Sequence, residues 1–115
     1  IVVTSIDREG TGKGYDLELC SNIKKNVNIP VVIHGGVGNI NHVISATQND
    51  PIYDGVSMAS ILHYTLIEKK NFKLKKNNYG NKEYISRTNT NIKFENCDIK
   101  KLKLSLKNKE INIRI

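Results

Sequence analysis

The sequence lacks tryptophan altogether and has only two prolines, two cysteines and one methionine in 115 residues. The cysteines, Cys20 and Cys97, lie far apart and form neither a CxxC pair nor a cluster with other ligand residues. This spacing excludes a disulfide scaffold and an ordinary zinc site, and it favours a reducing, cytoplasmic location. No stretch approaches the roughly 20 apolar residues of a membrane-spanning helix. We therefore expect no metal, no cofactor and no membrane partner.

The net charge of +7 is unevenly distributed along the chain. Residues 1–64 carry four Lys or Arg against six Asp or Glu, whereas residues 65–115 carry fourteen against five. A basic tail of this kind can bind nucleic acid, but this tail has few arginines, and asparagines alternate with its lysines. We expect a solvated surface there and no nucleic-acid partner.

The order of elements in the first half is that of a parallel α/β sheet. A β-branched strand at residues 1–6, a strand at 31–33 and a strand at 55–59 alternate with helices that start after Asp16 and Asn39. Right-handed crossovers place the carboxyl ends of all three strands on one rim. The chain opens inside the first strand and without methionine, so we expect a C-terminal fragment of a longer protein.

The second half gives weaker signals. Residues 72–85 contain turn formers between two apolar runs and could form a surface hairpin. Asp98 can cap a final helix with Ile99, Leu102 and Leu106 on one face. Leu102, Leu104 and Leu106 also alternate with polar residues as an edge strand would, so periodicity leaves both forms open.

Glycines follow the second strand, in His34-Gly-Gly-Val-Gly38, and the third strand leads into a short helix at Ser60. Free backbone N–H groups at a helix N-terminus bind phosphate well, and glycine permits the close approach. In barrels of eight βα units, phosphate sites recur in the loops after the last two strands. The alternative for the glycine run is a tight turn. Gly36→Asp is predicted to weaken binding by placing a side chain against the phosphate.

Polar side chains also follow the first strand. Asp7 and Glu9 form a carboxylate pair that could transfer protons or hold a substrate hydroxyl, or could instead cap the turn and face solvent. Thr4, Ser5 and Thr11 could donate to a ligand or satisfy the loop backbone. Histidines 34 and 63 sit at strand ends and could face a ligand or simply pack, whereas histidine 42 is expected to be exposed.

These motifs together resemble one enzyme family. They are similar to motifs of the cyclase subunit of imidazole glycerol phosphate synthase. The motifs are Thr4-Ser-Ile-Asp-Arg-Glu-Gly-Thr11 with Gly14-Tyr-Asp16, then Gly35-Gly-Val-Gly38, then Ala59-Ser60 with His63. The match covers residues 1–64 closely and returns weakly in residues 98–115, with residues 65–97 as an insertion. The resemblance implies an α/β fold of the (βα)8 TIM barrel type, of which this chain would hold strands six to eight and their helices.

The resemblance also implies a reaction. The family closes an imidazole ring in histidine biosynthesis, using ammonia from a glutaminase partner and a phosphorylated ribulosyl formimino substrate. Its catalytic aspartates end strands one and five, so this fragment carries no catalytic residue and is expected to be inactive alone. The residues expected to contact substrate are Thr4, Asp7, Glu9, Gly10 and Thr11, and those expected to contact phosphate are Gly35, Gly36, Gly38, Ala59 and Ser60.

Two side chains depart from the family pattern. Glu9 stands where the family usually has aspartate, and His34 replaces a small residue beside the glycine pair, where it narrows the pocket or adds a cationic donor. With the insertion, these departures keep two alternatives open. One is a related subunit of an ammonia-dependent amidotransferase in surface-sugar biosynthesis, and the other is an inactive truncated remnant.

Overall fold

The computed structural model describes residues 1–48, 53–69 and 94–114. Within these ranges the structure has three strands and four helices. The hairpin predicted at residues 72–85 lies outside the described residues. In order, the elements are β1 (Val2–Thr4), α1 (Leu17–Lys25), β2 (Val32–His34), α2 (Ile40–Gln48), β3 (Gly55–Val56), α3 (Ser60–Lys69) and α4 (Ile99–Lys107).

The strands form one parallel sheet in the order β1-β2-β3. Val3 pairs with Ile33, and Ile33 pairs with Val56, so both crossovers join neighbouring strands. The predicted parallel βαβαβ arrangement is confirmed. The first strand is shorter than predicted because the chain turns at Ser5, whose carbonyl accepts hydrogen bonds from the N–H groups of residues 8 and 9.

Polar side chains cap the helices as the sequence predicts. Asp16 accepts a hydrogen bond from the Leu19 N–H at 3.1 Å and begins α1. Asn39 does the same for the His42 N–H at 3.0 Å in α2. The Asp16 carboxylate also accepts a bond from the Ser5 hydroxyl at 2.9 Å, which fixes the loop after β1 to the start of α1. The bond from the Leu19 N–H has the largest effect in lowering the pKa of Asp16, and the bond from the Ser5 hydroxyl lowers it further.

Residues 99–107 are helical, which settles the alternative between a final helix and an edge strand. Asp98 accepts a hydrogen bond from the Lys101 N–H at 2.8 Å and caps α4. Leu102 and Leu106 are buried where α4 packs against α2, whereas Leu104 is 61% exposed. An edge strand would have turned all three leucines the same way, because its side chains alternate with period two.

The core lies between the sheet and the helices, and every described element except β3 contributes a buried member, while Val56 of β3 packs against the core. Cys20 and Cys97 are both buried, so the expectation of a buried thiol at Cys20 is confirmed. The Thr65 hydroxyl accepts a hydrogen bond from the Cys97 N–H at 2.8 Å and so joins α3 to the segment before α4. None of the helices in the described ranges has the length and apolar character needed to cross a membrane.

Candidate functional site

A pocket opens at the rim where the three strands end. It is lined by the loop after β1, the glycine run after β2 and the start of α3, with one residue from the segment before α4. The lining residues are Glu9, Gly10, Gly12, His34, Gly35, Gly36, Val37, Met58, Ala59, Ser60 and Phe94. Six of the ten residues expected to contact substrate or phosphate are among them: Glu9, Gly10, Gly35, Gly36, Ala59 and Ser60.

The remaining expected residues surround this pocket. Thr4 ends β1, and its hydroxyl lies 3.2 Å from the His34 ring. Thr11 donates its hydroxyl hydrogen to the Arg8 carbonyl at 2.7 Å, so it satisfies the loop backbone, the second of the two roles predicted for it. Asp7 is exposed on the same loop and outside the lining.

The two glycine segments pack backbone against backbone. The Gly14 N–H donates to the Gly36 carbonyl at 2.6 Å. Gly36 has a φ of 90°, and a Cβ there would overlap the Gly14 carbonyl oxygen. A Cβ at Gly38 would likewise overlap the Gly12 carbonyl oxygen. The sequence predicts that Gly36→Asp weakens binding because its side chain would lie against the phosphate. That reason is wrong, because the new side chain would first displace the neighbouring loop.

His42 supports the end of the glycine run. Its Nδ1 accepts a hydrogen bond from the Gly38 N–H at 3.1 Å, so this N–H, expected to bind phosphate, already has a partner. The ring is half-buried, and burial lowers the pKa of His42. The expectation that His42 is merely exposed is wrong, because the ring is held against the Gly38 backbone one turn earlier in the chain.

The N-terminus of α2 is occupied by a carboxylate from the far end of the chain. The Ile40 N–H donates to Glu95 Oε2 at 2.8 Å, and the Glu95 N–H donates to the Gly38 carbonyl at 2.8 Å. Lys101 donates to Glu95 Oε1 at 2.8 Å. The bond from the Ile40 N–H has the largest effect in lowering the pKa of Glu95, and the bond from Lys101 lowers it further, so the carboxylate stays charged. We call Glu95, Lys101 and the Gly38–Ile40 backbone they hold the clasp.

The N-terminus of α3 instead faces the pocket. The Ala59 carbonyl accepts the first bonds of the helix, from the N–H groups of Leu62 at 3.1 Å and His63 at 3.0 Å. By helix geometry, the N–H groups of Ser60 and Ile61 precede these bonds and have no partner within the helix. Ala59 and Ser60 both line the pocket. Of the two helix starts at this rim, the one at α3 is therefore placed to receive an anion.

Phe94 also lines the pocket. Its ring stacks on Tyr64 with centroids 4.8 Å apart. Sequence reasoning missed Phe94, since its contact with the pocket joins residues that are distant along the chain. His63 lies inside α3, so the prediction that it ends a strand is wrong. It is exposed and outside the lining, so of the two histidines only His34 lines the pocket. Across the described ranges, no three His, Cys, Asp or Glu side chains come together as metal ligands would.

Comparisons with known proteins connect this site to a family. The family model for "Histidine biosynthesis protein" matches residues 1–68, which include all three strands and nearly all of the pocket. The chain belongs to this family.

Curated relatives carry the name "Imidazole glycerol phosphate synthase subunit HisF". The protein from Methanococcus maripaludis strain C5 is 50% identical over 64 residues, covering 56% of this chain and 23% of the relative. The Bacillus cereus strain AH187 protein is 45% identical over 64 residues, 56% of this chain and 25% of the relative. The Methanosphaera stadtmanae protein is 44% identical over 80 residues, 67% of this chain and 29% of the relative. The resemblance to the cyclase subunit is confirmed, and the chain spans about a quarter of these relatives' length.

Proposed function

We propose that these residues are part of a cyclase subunit of imidazole glycerol phosphate synthase. The subunit would close the imidazole ring of histidine biosynthesis with ammonia from a glutaminase partner, on a phosphorylated ribulosyl formimino substrate, in the cytoplasm. The three strands would be strands six to eight of a (βα)8 barrel, and the catalytic aspartates would lie on strands outside this chain. The family match and the parallel sheet support this assignment.

One observation carries the proposed phosphate site. Two helices start at the same rim; the first has its N-terminus capped by Glu95, and the second opens onto the pocket at Ala59 and Ser60. We place one substrate phosphate there, against the backbone of Gly35 and Gly36. Gly38 would contribute through its missing side chain, which lets the Gly12 carbonyl approach.

The loop after β1 would hold the rest of the substrate. Glu9 and Gly10 line the pocket and would contact it directly. Thr4 would act together with His34, while Asp7 would reach a substrate group from the exposed side of the loop. Thr11 would shape the loop through its bond to the Arg8 carbonyl.

We also propose the division into residues 1–64 of the barrel, 65–97 as an insertion and 98–115 as the final helix and extension. Helix α3 continues to Lys69, beyond the first of these boundaries. The second boundary precedes α4, which begins at Ile99 after its cap.

A second candidate is the related subunit of an ammonia-dependent amidotransferase in surface-sugar biosynthesis. The presence of His34 and Glu9 in the lining favours it, since both depart from the expected cyclase pattern at positions that a substrate would contact. Turnover of the imidazole precursor with ammonium, measured on the full-length gene product that contains these residues, separates the two. No turnover of that precursor by a folded protein would argue for the second candidate or for an inactive remnant.

The phosphate site is tested by Ser60→Asp, with Ser60→Asn as the matched neutral control. Aspartate in the first turn favours the helix, so the change should leave folding intact. Its carboxylate would repel a phosphate at near-contact distance, and we expect KM for the imidazole precursor to rise about tenfold or more. The control should change KM much less. Equal KM values for the two variants would contradict this placement of the phosphate.

A further inference from the structure

His34 lies between the proposed phosphate site and the loop after β1. It ends β2, directly opposite Thr4 of β1 in the parallel register. Its ring Nδ1 is 3.2 Å from the Thr4 hydroxyl and 3.4 Å from Glu9 Oε2. The ring therefore has a fixed edge facing two partners, and it also lines the pocket.

These partners determine which ring nitrogen carries the proton. A carboxylate can only accept, whereas a hydroxyl can donate or accept. The Glu9 carboxylate therefore favours the tautomer with the hydrogen on Nδ1, and the Thr4 hydroxyl is compatible with it. In this neutral form Nε2 has a free lone pair, and within the described part of the chain no hydrogen bond or ion pair reaches it. Nε2 is the atom that would accept a further proton.

The charges around the pocket make that proton important. Of the eleven lining residues, only Glu9 and His34 have ionisable side chains. Met58, Ala59 and Ser60 on the β3 side are uncharged, and the charged neighbours Asp7 and Arg8 are outside the lining. With a neutral His34 the lining carries one negative charge, which opposes an anion, and with a protonated His34 it carries none.

We propose that His34 is an anion-binding residue of this pocket, which takes up a proton at Nε2 when a dianion binds. This inference rests on the proposed phosphate site and adds a pH dependence to it. Histidine is the side chain suited to such a role, since its charge changes between pH 5 and 8. Anion affinity should then fall as pH rises, by up to about tenfold per pH unit where one proton is taken up.

Sulfate is the probe of choice because it remains a dianion throughout this pH range, whereas phosphate itself titrates. We would measure its dissociation constant for the full-length gene product from pH 6 to 8, for the native protein and for His34→Gln. Glutamine keeps a polar side chain of similar reach and does not titrate. We expect about tenfold weaker binding by the native protein at pH 8 than at pH 6, and a change below twofold for the variant.

A second measurement needs no substitution. With isotope-labelled histidine, the imidazole resonances of the native protein report the protonated fraction of His34 at fixed pH, and saturating sulfate should raise that fraction. An unchanged fraction, or parallel pH profiles for the native protein and His34→Gln, would overturn the role of His34. If the Gly35 and Ser60 amide resonances still respond to sulfate, the phosphate site stands without that role. If neither amide responds, both the site and the inference fail.

Discussion

Removing the Glu95 side chain should loosen the attachment between the start of α2 and the segment before α4. Glu95→Ala deletes the acceptor for the Ile40 N–H and the partner of Lys101. Loss of a helix cap costs about 1 kcal/mol, within a range of roughly 0.5–2 kcal/mol. The Lys101 side chain is 51% exposed, so solvent screens the ion pair and it adds little. We therefore expect a total loss of about 1 kcal/mol, most of it from the bond to the Ile40 N–H.

Two further variants divide that total. Glu95→Gln keeps an oxygen for the Ile40 N–H and loses the charge, so it should cost less than half as much. Lys101→Met removes the cation together with its bonds to Glu95 and to the Asn96 carbonyl, and because the side chain is exposed it should cost less than Glu95→Ala. Urea unfolding of the full-length gene product gives the totals, and hydrogen exchange of the Ile40 amide reports the bond itself. A loss of 1.4 kcal/mol in local opening corresponds to about tenfold faster exchange.

The contribution of Glu95 should also depend on pH. Its bonds lower the pKa of Glu95 in the folded protein, so its stabilisation is fully present above the pKa of an unfolded glutamate. It is lost as pH falls through the folded value. The stability difference between the native protein and Glu95→Gln should therefore shrink in acid. Unchanged Ile40 exchange in Glu95→Ala, at any pH, would refute the role of the clasp.

Three other substitutions test the packing around the pocket. In Gly10→Ala the new Cβ meets no atom within 4 Å, so the variant carries only the strain of its positive φ, about 1–2 kcal/mol. Gly36→Ala adds an overlap with the Gly14 carbonyl and should lower the free energy of unfolding in urea clearly more. Equal losses for the two variants would contradict the close approach of the loops. Tyr15 is buried, and burial raises the pKa of its phenol. Its hydroxyl donates to the Ser57 carbonyl at 3.1 Å, so Tyr15→Phe should lower the free energy of unfolding by about 1 kcal/mol in the same assay. An unchanged free energy of unfolding would show that this bond does not stabilise the fold.

Local signals in the sequence were sufficient for the sheet and the helix starts. The caps at Asp16, Asn39 and Asp98 each accept a bond from an N–H three residues later, so a short window of sequence contains both partners. The end of β1 was harder to predict, because β-branched residues continue to Ile6 while the hydrogen-bond pattern already changes at Ser5.

The parts of the site that sequence reasoning missed depend on contacts between distant residues. Ile40 and Glu95 are 55 residues apart, and no local pattern could have paired them. The choice between helix and strand for residues 99–107 likewise depended on packing against α2, since the leucine spacing suited both. The glycine run predicts an anion site, which remains a proposal, but it could not show that the neighbour excluding a side chain at Gly36 is another loop.

The bond between Thr65 and Cys97 has a consequence for how this protein can change in evolution. These residues are 32 positions apart, yet the Cys97 N–H donates to the Thr65 hydroxyl at 2.8 Å, so the fold holds these two points of the chain together. The entropy of joining two such points grows only with the logarithm of the number of residues between them, and each doubling adds about 0.6 kcal/mol. A gene could therefore gain or lose codons here at little energetic cost, and natural variation in length should accumulate at this position rather than in the glycine loops.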